Sequence, residues 1–542
     1  MIAQASAGTE STLVIAPMLV ALVTAVAALL VGHRPRARAV SSLAGGLGYA
    51  AAVAALAWVV VLAPDAPGIA TYRVGGLRAP FGIVLVADGL SAFMLTMTAA
   101  IALSSLVFSR RYAAHSGPRT FYYPLFYFLL LGVTGAFLTG DLFNLFVWFE
   151  VMLMASYVFV AYYGGPRHTR AAFWYVALNL LASAVFLLGV GGLYATTGTL
   201  NMADLARRLA DPAAYGIDTV PVVGLLALLL SVFAIKAGLV PFQFWIPTAY
   251  RAAPPPITAL LVGATKKVGI YAIIRLSFTV FAGARVGVTL ELPGTGIAVA
   301  GDTPLAFVGA ALFVMAAASI VVGGVGAIGR ETIEGVLAYS SIGQIGFIAI
   351  PVAIAATTSS AGLRRAAIVA ALVYALNHTL AKGLLFLSVG TVRNATGTSR
   401  LAELGGLAGR SPPLALAFFV GSLALVGIPP LSGFFGKFLV FDAAARAGSA
   451  PILGLLLGGS LLTIAYATRV WNRSFWGVRT PAVEDADVDP VQLAVVLALA
   501  LAILAIGVGF EPVYRFATAA ADAALDAEAY VDAVAPSGGA GA

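Results

Sequence analysis

The chain has 542 residues, of which 61% are hydrophobic and only 10% are charged. So few charged residues cannot cover the surface of a soluble protein of this length, and the composition therefore indicates a membrane protein. The absence of cysteine excludes disulfides, thiolate metal sites and iron–sulfur ligation by this chain. The net charge of +8 comes from arginines scattered along the chain, a distribution that does not predict a nucleic-acid surface.

Apolar runs long enough to cross a bilayer recur along the whole sequence. A span needs about 20 apolar residues. By this measure the sequence predicts an all-α polytopic fold with about fourteen transmembrane helices, near residues 12–32, 43–63, 81–108, 121–139, 142–163, 171–196, 219–240, 255–283, 305–327, 333–354, 366–391, 412–441, 451–470 and 490–510.

The distribution of basic residues predicts how the first helix sits in the membrane. Basic residues follow the first apolar run, from His33 to Arg38, and none precedes it, which is the wrong order for a cleaved signal peptide. We therefore expect a retained first helix. Most arginines fall in alternate loops, and the positive-inside rule then places the amino terminus outside the cytoplasm.

Glycine and proline interrupt two apolar runs close to a lysine, in segments 234–241 and 427–437. Proline removes a backbone donor, so each segment is predicted to be a broken helix. Paired broken helices in two halves of a chain are typical of transporters built from repeats. The predicted organisation is a three-helix segment at 1–120, a five-helix block at 121–283, an extracytoplasmic linker at 284–304, a second five-helix block at 305–475, and a last helix with a tail at 476–542.

All five lysines lie inside apolar runs, whereas almost all arginines lie between runs; these lysines are Lys236, Lys266, Lys267, Lys382 and Lys437. A charged side chain in the bilayer core is costly, so a buried ionisable residue is a functional candidate by default. Lysine can lose its proton when it is buried, whereas arginine stays protonated. Five buried amines of this kind predict a proton path.

Glu150 is the only acidic residue deep in an apolar run, and a lysine is its expected partner. Lys236 is the first choice, because it lies in the broken helix of the same block. A purely structural ion pair between two helices is the alternative. Asp88 and Asp141 lie near the ends of runs, where water is expected to reach them, and we expect helix caps or entrance groups there in preference to proton-transfer groups.

His378 is the only histidine within an apolar run, and Lys382 follows it by four residues, so the two share one helix face. A histidine that titrates near neutral pH can pass a proton to a neighbouring amine, although a lone buried histidine is more often a packing residue. Lys266 and Lys267 are adjacent and must point in different directions from a helix. We expect at most one of them to face the path.

Motifs of enzymes and cofactor sites are missing from the sequence. The segment 324–329 fits G-x-G-x-x-G, but it follows a helical run and lacks the later acidic residue, so it predicts close helix packing or a turn. Zinc-protease, phosphate-loop and hydrolase motifs are absent. We therefore expect no catalytic residue, no bound metal and no cofactor in this chain.

Four tracts carry a resemblance to a known family: 140–157, 254–271, 337–346 and 427–437. Together they resemble the antiporter-like membrane subunits that Mrp cation/proton antiporters share with respiratory complex I. The first tract and the segment 525–534 are most similar to the D-type subunits of the Mrp branch. Two details depart from the pattern, because Lys266 makes a double lysine and the segment 331–335 is acidic where relatives are often basic.

The resemblance implies two five-helix repeats related by inversion and a proton route along the mid-plane of the membrane. By motif position it implies that Glu150 and Lys236 form a Glu–Lys pair and that Lys267 is the central lysine. It also implies that His378 and Lys382 are connecting groups and that Lys437 is the terminal lysine, with Lys266, Asp141 and Asp88 as further candidates. The implied partners are Mrp subunits A, B, C, E, F and G, protons, Na⁺ or another monovalent cation, and lipid of a bacterial plasma membrane.

Three functions remain open from the sequence alone. The first is a proton-translocating subunit of a multi-subunit Na⁺/H⁺ antiporter. The second is a proton-pumping subunit of complex I or of a membrane-bound hydrogenase, driven by redox chemistry in other chains. The third is a structural membrane scaffold whose buried charges only pair with one another.

Overall fold

A computed structural model describes residues 2–112, 120–285, 288–291, 298–301 and 303–535. Helices dominate these ranges. They are α1 (Ile2–Leu30), α2 (Pro35–Ala57), α3 (Gly89–Tyr112), α4 (Tyr122–Leu138), α5 (Leu142–Ala161), α6 (Gly165–Thr197), α7 (Met202–Ala210), α8 (Val220–Ala237), α9 (Trp245–Ala252), α10 (Pro255–Leu260), α11 (Lys266–Arg275), α12 (Leu305–Ile328), α13 (Ile333–Thr357), α14 (Ala361–Thr396), α15 (Leu407–Arg410), α16 (Pro412–Val426), α17 (Ser432–Arg446), α18 (Ala450–Val470), α19 (Pro481–Glu484), α20 (Pro490–Val508), α21 (Glu511–Leu525) and α22 (Ala527–Val534).

Shorter elements join or extend these helices. Single π-helical turns occur at Trp58–Leu62, Leu261–Thr265, Leu276–Val280 and Trp471–Phe475, and 3₁₀ turns at Val74–Gly76, Pro212–Tyr215 and Leu401–Glu403. Two antiparallel hairpins pair β1 (Ile69–Arg73) with β2 (Val84–Asp88) and β3 (Val288–Glu291) with β4 (Ala298–Gly301). Sheet structure is therefore confined to short connections between helices.

The number of spans agrees with the sequence prediction. Within the described residues, 12 helical segments are long and apolar enough to cross a membrane, and α4 and α16 are shorter apolar helices. Together these make fourteen segments, so the predicted all-α polytopic fold is confirmed. The boundaries of the two blocks, and their inverted relation, stay predictions. Residues 286–287, 292–297 and 302 of the predicted linker lie outside the described residues.

The two interrupted runs are broken helices of matching construction. The first is α8 followed by α9, and the second is α16 followed by α17. Each first half ends at a glycine in the left-handed region, Gly238 with φ 71° and Gly427 with φ 93°, a conformation that other residues rarely adopt. A cis proline follows three residues later in both, at Pro241 and Pro430. The structure thus repeats the same interruption in both halves of the chain.

Three spans form the centre of the protein. Every residue of the segment from Pro255 to Val280, which contains α10 and α11, is buried. In the most apolar stretch of α13 and of α14, 94% of the residues are buried. Spans at the periphery, such as α12 and α18, present most of their surface outward. The central three are also less hydropathic than most of the others. Polar side chains on them therefore face protein and not lipid.

The glycine-rich segment at the end of α12 packs closely against neighbouring helices. A Cβ atom added to Gly323 would lie 2.1 Å from the backbone nitrogen of Gly343 on α13, and one added to Gly326 would lie 2.3 Å from the ring of Tyr339. Side chains larger than hydrogen would force these helices apart. The prediction of close helix packing at 324–329 is confirmed.

The last helices cover the end of the protein where β2 meets α3. α21 packs against α3 and α14, with the rings of Phe516 and Phe93 in edge contact at 5.2 Å. α22 packs against α7 and β1. The carboxyl-terminal segment is therefore part of the fold up to Ala535.

Candidate functional site

A small cavity in the first block is lined by Lys236 and by Ser183, which is the hydrogen-bond partner of Glu150. The Glu150 carboxylate on α5 accepts a hydrogen bond from the hydroxyl of Ser183 on α6. Lys236 is in the last turn of α8, with its ammonium 6.0 Å from the ring centres of Tyr175 and Trp245. Lys236 is buried, and its Nζ atom has no hydrogen-bond partner among the described residues.

The predicted Glu150–Lys236 contact is not a direct ion pair. Among the described residues, no nitrogen–oxygen distance of 4.0 Å or less joins the two side chains, although they interact electrostatically. The cavity that is lined by Ser183 and Lys236 has a volume of about 10 Å³, which is the space of about one water molecule. The direct hydrogen-bond partner of the Glu150 carboxylate is Ser183, which the sequence did not predict.

Lys266 and Lys267 leave α11 in different directions, as adjacent helical residues must. The Lys266 ammonium donates to the carbonyl of Ser341 at 2.8 Å and lies 3.2 Å from the Ser341 hydroxyl. The Lys267 ammonium donates to the carbonyl of Val262 at 2.7 Å and lies 2.5 Å from Nδ1 of His378. Val262 belongs to the π-helical turn that precedes α11, and such turns are frequent at functional sites. Both lysines are fully buried.

His378 and Lys382 share one side of α14 but contact different helices. His378 faces α11, where Lys267 is its partner, and its Nε2 atom has no hydrogen-bond partner among the described residues. The Lys382 ammonium donates to the carbonyl of Leu337 at 2.9 Å and to the hydroxyl of Ser340 at 2.5 Å, both on α13. The central helices thus bring groups from the two predicted blocks into contact.

Lys437 lies on α17, at the second broken helix. Its ammonium donates to the hydroxyl of Ser460 at 3.2 Å and sits 5.0 Å above the ring centre of Phe347. The side chain passes Gly427, where an added Cβ atom would lie 2.9 Å from the lysine Cδ atom. At the first broken helix, a Cβ atom on Gly238 would similarly lie 3.2 Å from Cε of Lys266. In both places the glycine leaves room for a lysine.

A polar cluster joins α13, α14 and α18. The amide nitrogen of Gln344 donates to Thr463 at 3.1 Å and to Tyr466 at 2.9 Å, and the amide oxygen accepts a bond from Tyr374. Tyr374 packs against Phe347, the ring beneath Lys437. Sequence reasoning did not single out these residues, although Gln344 belongs to one of the tracts that carry the family resemblance.

The partners of the five lysines are mostly hydroxyls, carbonyls and an imidazole. No lysine forms an ion pair of 4.0 Å or less with a carboxylate anywhere in the described ranges. The sequence missed the serines that hold these amines, because single serines in an apolar run carry no distinctive pattern. The serines that contact Glu150 or a lysine are Ser183, Ser340, Ser341 and Ser460.

Asp88 and Asp141 are structural groups in this fold. Asp88 begins α3 by accepting from the backbone nitrogen of Ser91 at 2.9 Å, and both its oxygens bind the guanidinium of Arg275, at 2.8 and 2.6 Å. The prediction of a cap at Asp88 is confirmed, but the expectation of water access is wrong, because the residue is 1% exposed. Asp141 begins α5 by accepting from the backbone nitrogen of Asn144 at 2.8 Å. Across the described ranges, no three His, Asp or Glu side chains cluster as metal ligands would.

This fold, with its buried basic groups, is that of an antiporter-like membrane subunit. Residues 139–300 and 297–463 match the family described as NADH:quinone oxidoreductase/Mrp antiporter, TM, and the chain belongs to that family. It is 37% identical over 469 residues to the D-type subunit of the Na⁺/H⁺ antiporter of Bacillus subtilis, and the match covers 86% of this chain and 88% of the relative.

Solved structures show the same architecture. A subunit of the Mrp complex from Dietzia sp. DQ12-45-1b is 29% identical with a TM-score of 0.82, over 97% of this chain and 99% of that one. A subunit of an archaeal membrane-bound sulfane sulfur reductase is 28% identical with a TM-score of 0.83, over 96% and 99%. The chain is thus a multi-pass, antiporter-like membrane subunit of a multi-subunit complex, as the sequence predicted.

Proposed function

We propose that this chain is the D-type proton-translocating subunit of a bacterial Na⁺/H⁺ antiporter, acting with Mrp subunits A, B, C, E, F and G. It moves protons in exchange for Na⁺ or another monovalent cation and performs no covalent chemistry, so it is a secondary-transporter subunit and not an enzyme. The proton-transfer groups of this proposal are Glu150, Lys236, Lys267, His378, Lys382 and Lys437.

The contact between Lys267 and His378 is the observation that carries the proposal. The two side chains come from different helices of the two predicted blocks and lie 2.5 Å apart, with both residues fully buried. An amine and an imidazole at this distance can exchange a proton directly. A path that joins the blocks therefore needs no rearrangement at this point.

The surroundings of the other groups support a path that includes water. Lys236 Nζ and His378 Nε2 are buried and have no protein partner within the described ranges. Buried polar atoms in proteins are almost always hydrogen-bonded, so water is the remaining partner for both. Asp88 and Asp141 are outside the proposed path because both are occupied as helix caps. Lys266 lies beside the path, bound to Ser341.

The scaffold alternative fits poorly with these contacts. A scaffold would neutralise each buried lysine with a carboxylate, because an unpaired buried charge is strongly unfavourable. None of the lysines has such a partner within 4.0 Å in the part of the chain that the structure describes. Neutral partners such as Ser340 and His378 suit amines that change protonation state.

The same proposal includes location and orientation. We place the chain in the plasma membrane of a bacterium with the amino terminus outside the cytoplasm. Arginines near the helix ends on alternate sides of the chain's spans, such as Arg170, Arg251 and Arg393, support this orientation through the positive-inside rule.

A redox-driven complex is the second candidate, favoured by one comparison. The subunit with the TM-score of 0.83 belongs to a respiratory membrane complex, so this fold also occurs beside redox subunits. In that case electron transfer in other chains would drive the same proton path.

The decisive experiment expresses the complete gene cluster in a host that lacks its own antiporters. Everted vesicles are energised, and the recovery of acridine orange fluorescence is followed after addition of NaCl. The antiporter proposal expects sodium-dependent recovery that is lost in Lys267→Ala and retained in Arg410→Gln, an exposed control. The redox candidate would be supported if proton movement required an electron donor and did not depend on any monovalent cation. The same result would contradict the antiporter proposal.

A further inference from the structure

A charged cavity of about 610 Å³ opens at the seam between the two predicted blocks, on the arginine-rich side of the protein. The first half of the chain contributes the start of α6 and residues at and near α9. The second half contributes the start of α13, the end of α14 and the loop that follows. Its charged lining consists of Arg167, Arg170, Arg251, Arg393, Arg400 and Glu334.

The positive charge of the cavity is only partly balanced. Glu334 is its single lining carboxylate and lies 3.5 Å from Arg393. Arg400 pairs with Glu403 at 3.3 Å, outside the lining. The other three guanidiniums form no ion pair and no side-chain hydrogen bond with any described residue. They belong to Arg167, Arg170 and Arg251.

Two further features describe the surroundings of the cavity. Nδ1 of His168, another lining residue, is buried and has no hydrogen-bond partner among the described residues. Trp174 also lines the cavity and is 51% exposed. Exposed tryptophans of membrane proteins concentrate at the level of the lipid headgroups. This tendency favours a cavity at the level of the lipid phosphates.

We propose that this cavity binds a phosphate group, supplied by the headgroup of an anionic phospholipid. Guanidinium groups bind phosphate oxygens through two parallel hydrogen bonds, and three of them are uncommitted here. A free phosphate compound shares this chemistry and is the other source of such a ligand. The bound phosphate would link the start of α6 to the end of α14, and so join the two blocks at this side.

Native mass spectrometry of the detergent-purified complex tests the proposal. The complex is titrated with dioleoyl phosphatidylglycerol, with dioleoyl phosphatidylcholine of the same chain length, and with inorganic pyrophosphate. The test variant is Arg170→Gln with Arg251→Gln, which removes two uncommitted guanidiniums. The matched control is Arg410→Gln, an exposed arginine of the α14–α16 connection that does not line the cavity.

We expect a phosphatidylglycerol adduct that the wild type and Arg410→Gln retain equally. Its affinity should fall roughly tenfold for each arginine removed, since each charge-assisted contact contributes on that scale. Phosphatidylcholine should bind weakly to all three proteins. The variant Arg170→Lys with Arg251→Lys keeps both positive charges but lacks the planar guanidinium groups, so it should bind phosphatidylglycerol with intermediate affinity.

Each other outcome is decisive. Binding of pyrophosphate that depends on Arg170 and Arg251, without binding of phosphatidylglycerol, supports a phosphate site and identifies a free phosphate compound as its source. Equal binding of phosphatidylglycerol by the wild type and the double glutamine variant overturns the proposal. The proposal is also overturned if another subunit of the purified complex fills the cavity and no variant binds lipid or pyrophosphate. Equal melting temperatures of the wild type and all variants show that impaired folding does not cause a difference in binding.

Discussion

Removal of one partner from the buried ion pair between Asp88 and Arg275 should strongly destabilise this protein. Both side chains are almost completely buried, and the closest nitrogen–oxygen distance is 2.6 Å. The guanidinium also lies 4.9 Å from the ring centre of Tyr530 on α22 and 5.5 Å from that of Tyr271. The pair therefore joins the start of α3, the end of α11 and the carboxyl-terminal helices.

Asp88→Asn isolates the ion pair, because asparagine is as good a helix cap as aspartate. Removing one partner of a buried pair costs about 3–5 kcal/mol, since the other charge stays buried without compensation. We expect Asp88→Asn to lower the free energy of unfolding by that amount. Combination with Arg275→Met should recover most of the loss, because no charge then remains unpaired.

The exposed pair of Arg365 and Asp522 offers a matched control. Its closest nitrogen–oxygen distance is 2.5 Å, but both side chains are about half exposed. Exposed pairs contribute about 0–1 kcal/mol, so Arg365→Gln should have little effect. Reversible unfolding in mixed detergent–SDS micelles measures the free energy of unfolding of the wild type and of these three variants. A loss in Asp88→Asn no greater than that in Arg365→Gln, or no recovery in the double variant, would refute the reasoning.

Three further predictions concern proton transfer, measured as fluorescence recovery in everted vesicles or as exchange rate in proteoliposomes of the complete complex. Glu150→Ala and Lys236→Ala should each reduce exchange to background with normal assembly, because each leaves the other charge without its electrostatic partner. Near-normal exchange by Glu150→Ala at normal expression would contradict this. Lys437→Arg should fail about as badly as Lys437→Ala, since arginine keeps the charge but does not release its proton. Full exchange in the arginine variant would instead make Lys437 a fixed charge. Glu150→Ala combined with His378→Ala should be no slower than the more severe single variant, because groups on one path act as a unit. Losses that add in free energy would indicate independent paths.

The spans were predictable from sequence because bilayer thickness fixes the length of an apolar run. The broken helices at Gly238 and Gly427 were predictable because glycine and proline restrict the backbone directly. These are local properties. Each can be read from about 20 consecutive residues without knowledge of the neighbouring helices.

Partners between helices were harder to predict, because they depend on how distant segments pack. The sequence suggested Lys236 as the partner of Glu150, but the hydrogen bond to the Glu150 carboxylate comes from Ser183. The sequence does not identify Arg275 as the partner of Asp88, from which it is separated by 187 positions in the chain. The π-helical turn that contains Val262, whose carbonyl accepts from Lys267, also has no clear signal in the sequence. Charge identifies which residues need a partner, and only packing decides which partner each one receives.

The enclosed position of the three central spans has a consequence for how this protein enters the membrane. The segment from Pro255 to Val280 contains Lys266, Lys267 and Arg275, and α14 contains His378 and Lys382. Each lysine or arginine near the middle of a helix opposes insertion by roughly 2.5–3.5 kcal/mol. The mean hydropathies of these segments, 1.6 and 1.4, are low compared with 2.8 for α20. The central helices are therefore poor candidates for entering the bilayer one at a time, and their stable insertion requires that the surrounding helices shield them from lipid.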